Sequence, residues 1–335
     1  MEKFKAFCKR KNIEVSAKRY GIDALGAMAQ GLFCSLLIGT IIKTLGAQLG
    51  VPFLTDIGTY AMSVSGPAMA VAIGYALKAD PMVLFSLAAV GWAANAEGGA
   101  GGPLAVLIIA ILAAECGKAV SKETKIDILV TPAVTILVGV ALAKWIAPPI
   151  GTAASAFGLV IDNATRLQPF WMGIAVSVLV GVALTLPISS AAICAVLKMT
   201  GLAGGAAVAG CCAQMVGFAV MSFKENRWGG LVSQGLGTSM LQMPNIVRNP
   251  RVWIAPTLAS AITGPIATCV FHLEMNGAPI NSGMGTCGLC GLIGVLIHSV
   301  FESIWEEPYM MALFFAVAAM LAWAGLLRRR TQETA

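Results

Sequence analysis

The chain has 335 residues, of which 58% are hydrophobic and only 11% are charged, and its mean hydropathy is +0.82. A soluble globular domain carries roughly 25% charged residues, so this composition excludes the soluble protein classes and predicts an all-α polytopic membrane protein. The formal net charge of +6 does not indicate nucleic-acid binding, because the Lys and Arg residues fall at helix ends and in short connections.

The first predicted element is a basic cytoplasmic arm over residues 1–20. Its first 19 residues carry seven Lys or Arg and two Glu, and no apolar run with a small-residue cleavage site follows them. Because cytoplasmic segments are enriched in Lys and Arg, we expect the arm to stay in the cytoplasm. Residues 21–330 are then predicted to form a single transmembrane domain, and residues 331–335 a cytoplasmic tail.

Apolar runs that can cross a bilayer follow the arm, and a crossing takes about 20 such residues. They predict about ten transmembrane helices with both termini cytoplasmic, although Lys224 and Arg227 then fall on the outer side against the charge rule. The runs are 22–43, 57–78, 82–95, 103–118, 127–147, 168–197, 203–223, 228–247, 252–271 and 307–327.

One further apolar segment, residues 284–300, is rich in glycine. If it crossed completely, the three arginines at 328–330 would lie outside, against the charge rule. We therefore predict a re-entrant segment. Non-helical backbone at membrane depth is tolerated only where it is buried in protein or lines a cavity, so such a segment points to a substrate path.

Two stretches about 120 residues apart suggest an internal repeat. GPAMAVAIGYALK aligns with LPISSAAICAVLK, which pairs Pro67 with Pro187 and Lys78 with Lys198. The pattern predicts a parallel repeat of about four helices, and substrate is then expected where the halves meet, at the helices interrupted near the two prolines. The predicted repeats cover residues 57–147 and 168–271.

Glu97 is the first candidate for chemistry, in the segment WAANAEGGAGGP that also holds Asn95. A carboxylate at a helix centre in the membrane costs roughly 2.5–3.5 kcal/mol, so an acid there is rarely without a role. The functional interpretation is that the Glu97 carboxylate accepts hydrogen bonds from substrate hydroxyls, or serves as the base for a hydroxyl to be phosphorylated, with Asn95 as a further substrate-binding residue. The alternative is a hydrated turn.

The richest polar stretch runs from residue 211 to residue 250. Neutral amides suit an uncharged polyol, because they form hydrogen bonds without the desolvation cost of a charge. The alternative is hydrogen bonding between helices, which amides in membranes often perform. The predicted substrate-binding residues of this stretch are Gln214, Gln234, Gln242 and Asn245, and Ser239 interrupts the same apolar pattern.

Both histidines lie in the last third of the chain. A lone histidine is more often structural than functional, but His298 and Glu302 are four residues apart and can share a proton on one helix face. No ligand spacing predicts a metal, Cys287 and Cys290 lack a second pair, and no nucleotide-binding motif is present, so we expect no cofactor.

Several segments together resemble the bacterial phosphotransferase-system (PTS) EIIC type 2 family, and the resemblance covers nearly the whole chain. They are KRYGIDALGAMAQGLF (18–33), SKETKIDILVTPAVTILVG (121–139), LTLPISSAAI, the long block 210–266 and GMGTCGL (283–289). That family is described as sugar-permease IIC subunits and includes a membrane protein linked to regulation of the toxin perfringolysin.

The resemblance implies a multi-pass permease of the bacterial inner membrane, functioning as a homodimer. It would bind a sugar or polyol, translocate it, and present it for phosphorylation by separate IIB and IIA proteins, because no such domain is fused to the chain. Other IIC families place an intramembrane Glu and His near the sugar, parts that Glu97 and His298 would take here, with His272 as a substrate ligand. Two alternatives stay open: a membrane sensor or regulator with the same fold, and a transporter or channel for a solute that is never phosphorylated.

Overall fold

The computed structural model describes residues 7–14, 16–277, 279–287 and 291–292. Within these ranges every regular element is helical, and the single β-type contact is an isolated bridge between Gly201 and Met275. The all-α prediction is therefore confirmed. The predicted crossing 307–327, His298, the tail 331–335 and most of segment 284–300 lie outside the described residues.

Helices α1 to α7 occupy the first half of the chain. A π-turn at Arg19–Asp23 leads into α1, and a second π-turn at Phe33–Leu37 joins α1 to α2 without a loop. The seven helices are α1 (Ala24–Leu32), α2 (Ile38–Leu49), α3 (Pro52–Ser63), α4 (Ser65–Ala76), α5 (Pro81–Gly98), α6 (Gly102–Val120) and α7 (Asp127–Thr165).

The second half is more interrupted. Its α-helices are separated by π-turns at Ser233–Gly237 and Ile266–Val270 and by 3-10 turns at Ser239–Gln242, Pro250–Trp253 and Pro279–Gly283. The helices are α8 (Pro169–Thr185), α9 (Ser190–Val196), α10 (Gly201–Met221), α11 (Phe223–Val232), α12 (Met243–Arg248) and α13 (Ile254–Pro265).

Five helical segments of the described chain are long and apolar enough to cross a membrane, and the bent pair α3 and α4, with an angle of 47° between them, makes a sixth. One of the five, Pro81–Val120, contains two helices, because the chain reverses at Gly99, where φ is +49°. Glycine adopts this left-handed conformation without a steric penalty. The membrane class is thus confirmed, and the full number of crossings stays a prediction.

The chain divides into two compact units. Unit 1 comprises Met1–Ala154 and Met243–Arg248, and unit 2 comprises Ser155–Gln242 and Asn249–Ala335. The division at residue 154 falls between the two predicted repeats.

Unit 1 is built from antiparallel neighbours that approach closely at small residues, as helices in membranes do where no side chain keeps the backbones apart. These contacts show that five helical segments each run the length of the unit once: the segment from Arg19 to Leu49, the pair α3 and α4, α5, α6 and α7. The approaches that show this are Gly46 to Thr55, Gly66 to Gly91, Gly98 to Ala105, Gly117 to Val83 and Thr135, and Gly101 to Ile150.

One end of unit 1, here called the basic end, collects the cations. It contains Arg19, Lys78 and the connection from Lys118 to Asp127. The basic arm also lies there, because Lys11 donates to the Ser121 carbonyl and Arg19 bonds Asn12 of the arm at 3.2 Å.

In unit 2, α13 runs antiparallel to both α8 and α10. Hydrogen bonds and close approaches pair Gln214 with Thr257, Gly210 with Ser260, Gly217 with Pro256, Gly205 with Leu273, and Thr268 with Pro169. The unit therefore has two ends. We call them the Met275 end, where α8 and α10 begin, and the Trp253 end, where α10 finishes and α13 begins.

The predicted crossing 228–247 is wrong. Its residues fall into α11, a π-turn, an extended residue at Thr238 (φ −155°, ψ 143°), a 3-10 turn and α12. Gln234 bonds Ser222, at the end of α10, while Trp253 bonds Gln214 from the same end. The segment from 222 to 253 therefore leaves and returns at the Trp253 end. Its glycines and buried amides interrupt the helix.

The predicted run 168–197 also turns back. Helix α8 stops at Thr185, residues 186–189 are non-helical, and α9 leads to Met199, whose carbonyl accepts from Ser282 at 2.7 Å. Since Gly201 pairs with Met275, the chain has returned to the end from which α8 started. Pro187 lies in the break and lacks the N–H that a continuing helix would use.

The two aligned stretches share one local conformation. Lys78 and Lys198 both adopt left-handed backbone angles, with φ of 56° and 50°. Each terminates a helix with the same pattern, in which Leu77 bonds Ile73 and Leu197 bonds Ile193 through backbone groups at 2.9 Å and 3.0 Å. The local likeness supports the repeat, which stays a prediction.

Candidate functional site

Gln214, on α10, is fully buried and held from three directions. Its Oε1 accepts from the Trp253 indole at 3.2 Å and from the Thr185 hydroxyl at 3.5 Å, and its Nε2 donates to the Thr257 hydroxyl at 3.2 Å. An indole N–H can only donate, so Oε1 must face Trp253, and this fixes the orientation of the amide.

Thr185 and Ser239 lie directly beside this amide. Their hydroxyls are 2.8 Å apart, either can donate, and both side chains are fully buried. Thr185 is the last residue of α8, and Ser239 follows the extended residue Thr238. The contact therefore joins two places where a helix is broken.

A second chain of neutral groups runs toward the Trp253 end. Gln242 donates through Nε2 to Oε1 of Gln234 at 2.9 Å, and Gln234 donates through Nε2 to the Ser222 hydroxyl at 2.9 Å. All three side chains are buried. Gln214, Thr185, Ser239, Gln234 and Gln242 are together called the polar cluster below. None of the five is ionisable, so the cluster can hydrogen-bond a hydroxylated solute without burying a charge.

Asn95 and Glu97 lie in unit 1, at the end of α5 opposite the basic end. Asn95 fills the space between two glycines: a Cβ on Gly66 would lie 2.8 Å from its Cβ, and one on Gly102 would lie 2.5 Å from its Oδ1. Glu97 accepts a hydrogen bond from Lys144 of α7 at 2.5 Å. The predicted carboxylate therefore has a cationic partner that sequence analysis missed.

Two further predicted ligands, Asn245 and His272, are not members of the polar cluster. Asn245 is exposed on α12, which belongs to unit 1. His272 is exposed in the turn after α13, at the Met275 end, with φ of 50°. Of the predicted substrate ligands, the structure thus brings Gln234 and Gln242 into direct contact and places Gln214 beside Thr185 and Ser239.

Sequence reasoning missed Thr185, Trp253 and Thr257. Thr185 precedes Leu186 and Pro187, and a hydroxyl directly before a proline-containing break was an available signal. Lys144 was also detectable, as a lone cation within the apolar run 127–147 that requires an acidic partner at membrane depth.

At the basic end of unit 1, Lys118 is 2% exposed and donates to Glu115 at 2.9 Å, to the Leu77 carbonyl at 3.2 Å and to the Asn12 carbonyl at 3.0 Å. Arg19 donates to the same Leu77 carbonyl. Two cations therefore meet the carboxyl end of α4, where the helix dipole is negative.

The loop beyond Lys118 adds exposed ion pairs to this end. Lys122 donates to Asp80 at 2.6 Å, and this hydrogen bond holds the pKa of the Asp80 carboxyl below its ordinary value. Within the described ranges, no group of three or more His, Cys, Asp or Glu side chains is arranged to hold a metal.

Comparison with known proteins gives one match. A family model described as "Phosphotransferase system, EIIC" matches residues 22–333. No curated protein and no solved structure matches the chain.

Proposed function

The chain belongs to the phosphotransferase-system EIIC family, and from this premise we propose that it binds a sugar or polyol, moves it across the bacterial inner membrane, and presents it to separate IIB and IIA proteins. The observation that carries this proposal is the polar cluster: five buried neutral side chains, four of them at two helix breaks. Transporter sites typically form where helices are discontinuous, and uncharged groups suit an uncharged solute. A homodimer is proposed on family grounds.

Phosphorylation of a bound sugar requires a group that accepts the hydroxyl proton. Glu97 and His298 are the proposed candidates, with His272 and Asn245 as further proposed ligands. Glu97 would have to release Lys144 first, since its Oε1 is engaged at 2.5 Å. Asn95, two residues before Glu97 on α5, would then present its amide to the bound sugar from the same helix.

We further propose eight full crossings rather than ten. Five crossings of unit 1, beginning from a cytoplasmic arm, leave the end of α7 outside, so the Met275 end is outer and the Trp253 end cytoplasmic. The charges agree: the connection 222–253 carries Lys224, Arg227, Arg248 and Arg251. α10, α13 and the predicted run 307–327 complete the count and return the chain to the cytoplasm.

This orientation inverts the proposed repeat. Lys78 then ends its helix at the inner face and Lys198 at the outer face, so the two halves are related by inverted rather than parallel topology.

Single cysteines test this orientation. In a background with the nine native cysteines replaced, we expect Asn226→Cys to react with a membrane-impermeant maleimide only from the cytoplasmic side, and Asn276→Cys only from outside. Both asparagines are exposed, so accessibility is matched. The unsubstituted background protein controls for other reactions. Labelling of both positions from outside would restore the ten-crossing topology.

Transport itself is tested with purified protein in liposomes, using a panel of radiolabelled hexoses, pentoses and hexitols. We expect uptake of at least one above empty liposomes, and its recovery as a phosphate ester when matched IIB and IIA proteins and a phosphoryl donor are inside. If none of the panel binds or enters, the proposal fails. Binding without uptake would instead indicate a membrane sensor.

A further inference from the structure

We propose that the hydroxyls of Thr185 and Ser239 are the sugar contact, formed where two re-entrant tips reach each other from opposite ends of unit 2. This inference rests on the proposed sugar transport and deepens it by naming the residues that meet the solute. It concerns the contact of the polar cluster that joins the end of α8 to the break after Thr238.

The first tip enters from the Met275 end. Helix α8 starts beside Thr268, since the Thr268 hydroxyl donates to the Pro169 carbonyl at 2.8 Å, and it ends at Thr185. Thr185 is level with Gln214, which lies about 20 Å along α10 from Gly201 at a helical rise of about 1.5 Å per residue. α9 then returns toward the same end.

The second tip enters from the Trp253 end. After α10 stops at Met221, the chain turns through α11 and the π-turn Ser233–Gly237 and reaches Ser239 before it returns through Gln242. From Gln214 to the end of α10 is about 10 Å at the same helical rise. The two tips together therefore reach across the thickness of the unit, and their hydroxyls meet at 2.8 Å.

The chemistry of the contact suits a polyol. Each hydroxyl can donate one hydrogen bond and accept others, as a sugar hydroxyl can. When the tips separate, a sugar hydroxyl inserted between them replaces one hydroxyl partner by another, so neither side chain is left buried and unsatisfied. Gln214 holds Thr185 in position, because the Gln214 side-chain oxygen and nitrogen are themselves fixed by hydrogen bonds to Trp253 and Thr257.

A purely structural hydrogen bond does not explain why both partners lie at helix breaks. Buried hydroxyls in the continuous helices of unit 2 donate to backbone carbonyls, as Thr263 does to Ala259 at 3.0 Å and Ser260 does to Gly210 at 3.1 Å, whereas the contact between Thr185 and Ser239 joins two hydroxyls. Irregular backbone at membrane depth exposes groups that need partners, and it persists where it is buried in protein or lines a solute path. Two such breaks at one contact point to that path.

The experiment compares Thr185→Val and Ser239→Ala with the control Thr263→Val, using the panel solute that the wild-type protein takes up best. We expect the first two to raise the KM for uptake about tenfold or more, since a buried polar partner is lost. Thr263→Val, fully buried but bonded only within its helix, should change KM less than about twofold. Thr185→Ser keeps the hydroxyl and should recover most of the affinity.

The outcomes separate this inference from the function on which it rests. Wild-type uptake together with unchanged KM in Thr185→Val and Ser239→Ala overturns the contact and leaves sugar transport standing. If Thr185→Val does not fold, Ser239→Ala and Thr185→Ser decide, because both preserve the shape of the site closely. No uptake by the wild-type protein overturns both proposals together.

Discussion

Replacing Gly210 with alanine should strongly destabilise unit 2. A Cβ at this position of α10 would overlap the carbonyl oxygen of Ser177 on α8, and that oxygen belongs to the backbone and cannot rotate away. Overpacking a tight interior costs about 1–3 kcal/mol even when flexible side chains can yield. With a rigid backbone on the other side, we expect a loss of about 3 kcal/mol or more.

The measurement is the temperature at which half of the purified protein in detergent loses its monodisperse size-exclusion peak. Gly229→Ala is the matched control, because a Cβ there meets nothing within 4 Å. Its midpoint should match the wild type or rise slightly, since alanine favours a helix over glycine by roughly 0.5–1 kcal/mol. Equal midpoints for the Gly210 and Gly229 variants would show that α8 and α10 are not packed at this distance.

Replacing Lys118 with methionine should be the most damaging change at the basic end of unit 1. It leaves the Glu115 carboxylate, whose side chain is 14% exposed, without its cation, and it removes the donor to the Asn12 carbonyl. Breaking a buried pair by removing one partner typically costs about 3–5 kcal/mol. The Glu115 Oε2 lies 2.8 Å from Lys118 yet accepts no well-oriented hydrogen bond, and the neighbouring Tyr20 hydroxyl, which also hydrogen-bonds Glu115, carries no positive charge to replace that of Lys118.

Two further variants show whether the charge itself is responsible. Glu115→Gln combined with Lys118→Met removes both charges and should recover part of the lost thermal midpoint. Lys122→Met breaks an exposed ion pair with Asp80, in which the Lys122 side chain is 71% exposed. It should lower the free energy of unfolding by about 0–1 kcal/mol. A loss for Lys118→Met as small as that for Lys122→Met would contradict the buried pair.

Sequence reasoning was reliable where a single residue pattern sets the outcome. Apolar content fixes the membrane class, because each helical crossing needs its own apolar run. A spacing of three residues on one helix brings Glu115 and Lys118 to the same face, and the structure places them 2.9 Å apart. The neutral amides Gln214, Gln234 and Gln242 were singled out because polar side chains stand out in an apolar run, and their role as substrate ligands stays a prediction.

Sequence reasoning failed where the outcome depends on whether the chain continues in one direction or turns back. Hydropathy reports that a segment is apolar, and it does not report whether the chain continues through the unit or turns back. The run 228–247 therefore resembled a crossing, although Thr238 breaks it and both its ends lie at the Trp253 end. Thr185 was missed for a related reason: its partner Ser239 lies 54 residues away, and only the tertiary fold brings them together.

The docked arm has a consequence for biosynthesis. Asn12 is held by Lys118, 106 residues later in the chain, so this contact cannot form until α6 has been made. At about 5–20 residues per second, that delay is roughly 5–20 s. During this interval the cations of the arm are available to anionic lipid headgroups, which attract such segments by about 1 kcal/mol for each Lys or Arg. The same residues that later close the basic end of unit 1 can therefore first orient the nascent protein on the cytoplasmic leaflet.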